Sequence, residues 1–241
     1  MPKALFHWSG GKDSALALYH LLQDDAYEDV QLLTTANEVL GRVSMHGVRM
    51  ELVERQARAL GLPLRWLRLP EPAPMPVYER LMHQTLAAFR AAGYTQAAFG
   101  DIFLEDLKAF REKGLARVDM QGVFPLWGRD SRQLVSAFIE LGFKAVVVCV
   151  NAKHLDASFA GRPLDYDFLR DLPPGVDPCG ENGEYHSFVY DGPLFREPVR
   201  FATGEKTFRR YAPAPEDDDN SFATQPAPFD TGFWYLDLIP L

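Results

Sequence analysis

Six residues constrain this chain more than any others: Ser9-Gly10-Gly11-Lys12-Asp13-Ser14. An apolar run, Ala4-Leu5-Phe6, precedes them, and residues 15–22 repeat with the apolar spacing of a packed helix. The segment therefore predicts strand, glycine turn and helix. Gly10 and Gly11 tolerate positive φ, so the backbone can turn tightly and aim its N–H groups into one concavity. The N-terminus of the following helix adds unpaired donors and a positive dipole end at the same place. Ser9 and Ser14 supply hydroxyls, and Lys12 supplies a point charge. An anion of phosphate size fits such a cradle. A plain glycine turn capping a helix would explain Gly10 and Gly11, but not all six residues together.

The spacing is not that of a Walker A loop, which needs four residues between its first glycine and the Gly-Lys pair. Ser9 to Ser14 instead resembles the pyrophosphate loop (PP-loop) of the N-type ATP pyrophosphatases. That resemblance implies cleavage of ATP between its α and β phosphates, with the leaving pyrophosphate held by Ser9, Gly10, Gly11, Lys12, Asp13 and Ser14.

Downstream, short apolar segments at 30–36, 63–69, 97–101 and 145–150 read as strands. They alternate with helical patterns at 48–60, 78–92, 104–113 and 131–141, and a proline-rich loop fills 70–76. Alternation of this kind favours right-handed βαβ crossovers and a parallel sheet, an α/β fold with ligands beyond the strand C-termini. After about residue 153 glycine and proline become frequent and helices shorten. The second half reads as a smaller α+β domain, with a hairpin at 195–208 centred on Gly204 and a last strand at 233–239. Residues 212–220 (APAPEDDDN) read as a solvated surface excursion. The expected division is 1–125 and 126–241, with the boundary falling within 123–153.

Bulk composition removes several function classes. A formal charge of −8 argues against a general electrostatic grip on nucleic acid or anionic membrane. No run approaches the ~18 apolar residues of a membrane span. Cys149 and Cys179 form no Cys-x-x-Cys pair, which suits a reducing cytoplasm. No signal-peptide pattern precedes the first strand, so a cytoplasmic location is expected.

Several residues then compete for chemical roles. Gly100-Asp101 ends a predicted strand; Asp101 either reaches the phosphates through Mg²⁺ or caps the next helix. Asp13 is either a dipole partner in the first helical turn or an acid on the metal side. His46, in Met45-His46-Gly47, follows the second strand and is either a nucleotide contact or a structural histidine; His7 supports the same site. Arg129, beside Gly128, either clamps an anion or pairs with Asp130 at the surface. The densest segment is Asp177-Pro178-Cys179-Gly180-Glu181-Asn182-Gly183-Glu184-Tyr185-His186-Ser187-Phe188. Glu181 and Glu184 there suit a cationic group or an incoming ammonia, and His186 suits a base near neutral pH. The alternative is a polar hairpin tip with no partner. Nothing in the sequence activates Cys179.

Taken together these segments resemble the diphthine–ammonia ligase family and its bacterial relatives. Ser9 to Ser14, Met45-His46-Gly47, Phe99-Gly100-Asp101, Phe124-Pro125-Leu126-Trp127-Gly128-Arg129-Asp130, the stretch Asp177 to His186, and Asp191-Gly192-Pro193-Leu194-Phe195 carry the resemblance. It implies a Rossmann-like nucleotide domain of the adenine nucleotide alpha hydrolase (HUP) type, with ATP, Mg²⁺ and ammonia as reactants or cofactors. It also implies a reaction: a carboxylate is adenylated, pyrophosphate leaves, and ammonia attacks. Lys12, Asp13, Glu181, Glu184 and His186 would act in that chemistry; Gly100, Asp101, His46 and Arg129 would contact the nucleotide. The acceptor would be diphthine, a modified histidine of elongation factor 2, in an archaeal or eukaryotic source, and another carboxylate in a bacterial one. The chain's length suits a short archaeal or bacterial-type member. A homodimer is compatible with the family. The rival expectations are tRNA thiolation or lysidine formation, and a sensor that binds ATP or AMP without turnover; the net charge and the missing Cys-x-x-Cys pair count against the tRNA reading.

Overall fold

The computed structural model of the chain describes residues 1–23, 26–44, 46–211 and 231–241. The surface excursion expected at 212–220, and Met45, lie outside them.

The first strand, β1 (Lys3–His7), is the centre of the molecule. Its residues Ala4, Leu5 and Phe6 are fully buried, which is why this strand reads as an unbroken apolar run instead of alternating. Helix α1 (Lys12–Gln23) follows the glycine turn, then β2 (Asp29–Asn37) and a two-residue strand β3 (Arg42–Val43). Next come α2 (Met50–Leu60), β4 (Leu64–Leu69), α3 (Met75–Ala91), β5 (Tyr94–Ala98), α4 (Glu105–Ala116) and β6 (Gln121–Val123). Strands β4-β2-β1-β5-β6 lie side by side and parallel, and β3 turns back antiparallel on the end of β2.

Alternate residues of β1 feed different cores. Ala4 and Phe6 join a cluster with Leu16, Leu18, Leu52 and Val53 of α1 and α2. Leu5 joins a cluster with Leu86 and Phe89 of α3 and Leu115 of α4. Helices thus cover both faces, and the chain reverses direction between β1 and β5. This is a Rossmann-like, doubly wound sheet, and the glycine turn sits at its switch point, where such sheets take ligands.

The remaining elements are α5 (Ser131–Glu140), β7 (Lys144–Asn151), α6 (Tyr166–Asp171), β8 (Tyr185–Asp191), β9 (Phe201–Tyr211) and β10 (Thr231–Pro240). Strands β8-β7-β10-β9 form a second, wholly antiparallel sheet. Asp130 caps α5 by accepting the Gln133 N–H at 2.9 Å. One apolar cluster runs through α1 and α2 into Val147, Phe168 and Phe188 of this second unit. The hairpin expected at 195–208 is not formed. Residues 201–211 run as one strand against β10, and Gly204 lies opposite a register irregularity between Leu236 and Leu238. A Cβ there would stand 3.3 Å from the Asp237 Cβ, so this glycine serves close strand approach rather than a turn.

Asp237 of β10 also ties the sheets together. Its carboxylate takes Arg49 Nη2 at 2.6 Å and Arg42 Nη1 at 2.9 Å, across nearly the whole chain length. The Arg49 hydrogen bond, joined by that of Arg42, holds the carboxyl below its ordinary range despite partial burial. A carboxylate with a depressed folded pKa contributes stability above its unfolded pKa and loses it as pH falls through the folded one. Asp237→Asn is therefore expected to lower the melting temperature near neutral pH. The gap to wild type should close as pH falls below about 4. Thermal melts across a pH series check this, and a gap that persists in acid would remove the ion pair as its cause.

Candidate active site

The glycine turn is built from both ends of the chain. Gly10 has φ of 81°, and its carbonyl accepts the Val189 N–H of β8 at 2.9 Å and Gln56 Nε2 of α2 at 3.0 Å. The same Gln56 nitrogen donates to the Val189 carbonyl at 2.6 Å, and Gln56 Oε1 accepts from the Trp8 indole at 3.0 Å. A Cβ on Gly10 would meet Gln56 Oε1 at 2.7 Å. Within the turn, Ser9 Oγ accepts the Gly11 N–H at 3.2 Å and donates to Ser14 Oγ at 3.1 Å; Ser14 Oγ donates to the Gly11 carbonyl at 2.9 Å. The Lys12 N–H, first of the helix, donates to Ser187 Oγ at 3.1 Å. Gly100 lies against the same helical turn, where a Cβ would stand 2.9 Å from the Asp13 carbonyl carbon.

A cavity of about 550 Å³ opens over this turn, lined among others by Gly11, Lys12, His46, Asp101, Glu181 and His186. Ser9, Asp13, Ser14 and Gly100 also line it. Lys12 is buried; its Nζ donates to Asp13 Oδ2 at 2.7 Å and lies 4.9 Å from the centre of the Tyr185 ring. Burial opposes the ammonium charge, but Asp13 outweighs it and the pKa rises. His46 stacks on His186, ring centres 4.6 Å apart, with its Nδ1 3.3 Å from the Ser187 carbonyl. Burial drives His46 down to about 4, with Lys12 adding to the effect. Burial, His46 and Lys12 likewise lower His186 well below the usual range. Both rings are thus neutral near physiological pH, and His186 is a far weaker base there than its sequence position suggested. His7, stacked on Phe99 at 4.2 Å, is lowered to about 3 by burial and by Arg111.

Glu181 and Glu184 part company. Glu181 lines the cavity, its Oε1 accepting the Ile102 N–H at 2.9 Å. Burial lifts its pKa to about 7 against the Ile102 bond, with Asp13 and Asp101 contributing. Glu184 is buried away from the cavity. Its Oε1 accepts the Asp177 N–H at 3.0 Å and Asn182 Nδ2 at 3.2 Å, so it braces the loop that presents Glu181. Asp177 Oδ1 completes the brace by accepting the Cys179 and Glu181 N–H groups at 3.0 and 3.1 Å. The two glutamates do not converge on one ligand.

Two other assignments change. Asp101 does not cap α4, whose N-cap is Leu104; it pairs with Arg111, Nη2 to Oδ1 at 3.0 Å and Nε to Oδ2 at 2.5 Å. Arg129 is not on the cavity wall. It lies on the surface with Nη1 3.0 Å from His20 Nε2, and neither clamps the site nor pairs with Asp130. Cys149, pushed up to about 12 by burial, and Cys179, raised further still, are both buried and free of disulfides. The sequence reading missed Gln56, Ser187 and Arg111. Gln56 was open to detection, as an amide on the same helical face as Val53, Ala57 and Leu60. Ser187 and Arg111 matter only through contacts 175 and 10 residues away, which no local pattern marks.

Two family models cover most of the chain: the diphthamide synthase N-terminal domain matches residues 2–121 and its C-terminal domain matches 130–212. The chain belongs to the diphthamide synthase family. The diphthine–ammonia ligase of Danio rerio is 29% identical over 218 residues, 79% of this chain and 83% of that protein. That of Homo sapiens is 26% identical over 216 residues, 79% of each chain. A crystal structure described as a predicted subunit of tRNA methyltransferase from Methanocaldococcus jannaschii superimposes with a TM-score of 0.41 at 22% identity, over 60% of this chain and 77% of that one.

The unlike positions of the two glutamates give opposite expectations. Glu184→Ala leaves the half-buried Asp177 N–H and the Asn182 amide without their acceptor and should cost about 1–3 kcal/mol of stability. Glu181→Gln should leave the melting temperature near wild type. Denaturant unfolding of both variants checks the contrast, which fails if Glu181→Gln proves the less stable.

Proposed function

We propose that the chain is an ATP-dependent amide ligase. It adenylates a carboxylate, releases pyrophosphate and transfers ammonia, with diphthine as the acceptor named in its relatives. The carrying observation is that a phosphate-type cradle at 9–14 and a half-buried carboxyl with a pKa of about 7, Glu181, face one cavity. The cradle suits a leaving pyrophosphate: the turn amides and the charged Lys12 are fixed in advance where negative charge develops. Glu181 suits the other half of the reaction. Attack by ammonia produces a nitrogen that must shed a proton, and a carboxylate poised near neutrality accepts it. The neutral, stacked His46 and His186 add an uncharged surface to the same cavity.

Mg²⁺ belongs to the proposal as a charge-neutralising ion on the phosphates. Among the described residues no three His, Cys, Asp or Glu side chains gather as a metal cage. An ion held mainly by phosphate oxygens and water, with one carboxylate from Asp101, fits these residues. Free cysteines suit a cytoplasmic location, and no helix among the described residues is long and apolar enough to cross a membrane.

Incubation with ATP, Mg²⁺, ammonium and diphthine-bearing elongation factor 2 should yield AMP, pyrophosphate and the amide. ADP and phosphate as main products would overturn the assignment, and ATP binding without turnover would make the chain a sensor. At constant free ammonia, the rate should rise with pH through about 7 as Glu181 loses its proton. That limb should vanish in Glu181→Gln together with about 100-fold or more of the rate. A wild-type pH profile in that variant would acquit Glu181.

A further inference from the structure

A second cavity, of about 240 Å³, lies between α3 and α4 and shares His7, Tyr78, Phe99, Leu107 and Arg111 with the nucleotide cavity. Its own walls are apolar at Met82, Leu86, Phe110 and Leu115, with His83 and Lys113 as polar members. Its rim carries Glu79 and Arg117, 3.9 Å apart and each about half exposed, so the chamber opens toward the surface there and borders the reaction cavity at the shared residues.

Arg111 stands at the junction. Its guanidinium lies 4.4 Å from the centre of the Phe99 ring, with Nε and Nη2 on Asp101. Nη1 has no protein acceptor among the described residues. Of the lysine and arginine side chains lining the reaction cavity, the other is Lys12, already paired with Asp13.

We propose that this chamber is the channel through which the acceptor's side chain reaches the nucleotide, and that Arg111 at its inner end receives the acceptor's carboxylate. The proposal rests on the ligase reading and names the route of its second substrate. The occupant it fits is a long, slender side chain that is apolar along its shank and carboxylate-bearing at its tip. The walls match the shank, and the planar guanidinium matches the tip. The space equals that of roughly eight water molecules, enough for such a shank and far more than ammonia needs.

Two variants test the route, with diphthine-bearing elongation factor 2 as the probe. Met82→Trp fills the chamber without touching the nucleotide cavity. It should raise the KM for the factor about ten-fold or more while ATP affinity, measured by calorimetry, stays within about three-fold. Arg111→Lys keeps the charge but not the planar fork, and should lower kcat/KM for the factor while the KM for ammonium is unchanged. A Met82→Trp protein that melts like wild type and keeps its KM for the factor overturns the proposal. So does a rise confined to the KM for ammonium, which would make the chamber an ammonia path. Binding of the factor to the ATP-free protein reads the route without turnover. Wild type that binds the factor more tightly than Met82→Trp but forms no AMP leaves the channel standing and sinks the ligase reading. Equal binding by both proteins sinks the channel.

Discussion

The carbonyl oxygen of Gly10 accepts two N–H groups, one from α2 and one from β8, and the phosphate turn depends on that joint. Gln56 is fully buried, yet each polar atom of its amide is used, by Trp8, Gly10 and Val189. A buried amide with unmet bonds would cost more than its bonds return, so the three partners and the glutamine specify one another. The joint also covers a sheet edge. Strand β8 is the outer strand of its sheet, and the Val189 N–H that would face solvent is spent on the turn. Nucleotide loop and second sheet are therefore one structural unit around α1.

That unit handles charge by pairing. Three acids line the reaction cavity of a chain that already carries −8, and its ligand would be a polyanion. Asp13 is matched by Lys12 and Asp101 by Arg111, while Glu181 sits near the pKa at which half its population is uncharged. The histidines contribute no charge of either sign. The cavity is thus close to neutral in spite of its composition. For an anion there, the donors fixed by folding that cannot titrate are the helix N-terminal amides not already spent on Ser9 and Ser187.

Much of this was open to inspection in the sequence. The parallel sheet was legible because β1, β2, β4 and β5 follow local rules: apolar runs, glycine stops and helical periods between them. The turn at 9–14 was legible for the same reason, since its chemistry lies in consecutive residues. The second half was read less well. Strand β8 was hidden inside a polar, glycine-bearing stretch, and Gly204 was taken for a turn because a bulge and a turn use the same residue. Arg129 and Arg111 show the limit most clearly. Both are arginines near aromatic residues, but only the fold decides that one faces His20 at the surface and the other the reaction cavity. Glu181 and Glu184, three positions apart, diverge because the Asp177 turn folds one carboxylate inward as a brace.

The separation into two family domains therefore does not describe two independent chemical units. Residues 2–121 contain the turn, α1 and Gln56, but not Ser187 or Val189. Cut there, the Lys12 N–H would lose its serine acceptor, the Gly10 carbonyl one of its two donors and Gln56 one of its two acceptors. The remainder, from 130 on, would keep Glu181 but lose the Ile102 N–H that accompanies its carboxylate and the neighbouring charges of Lys12, Asp13 and Asp101. Burial is the largest cause of the raised pKa of Glu181, so that property belongs to neither half. The turn at 9–14 and the carboxyl of Glu181 are each finished by contacts from the other domain, so the interface between them, and not either sheet, sets the geometry of the candidate site.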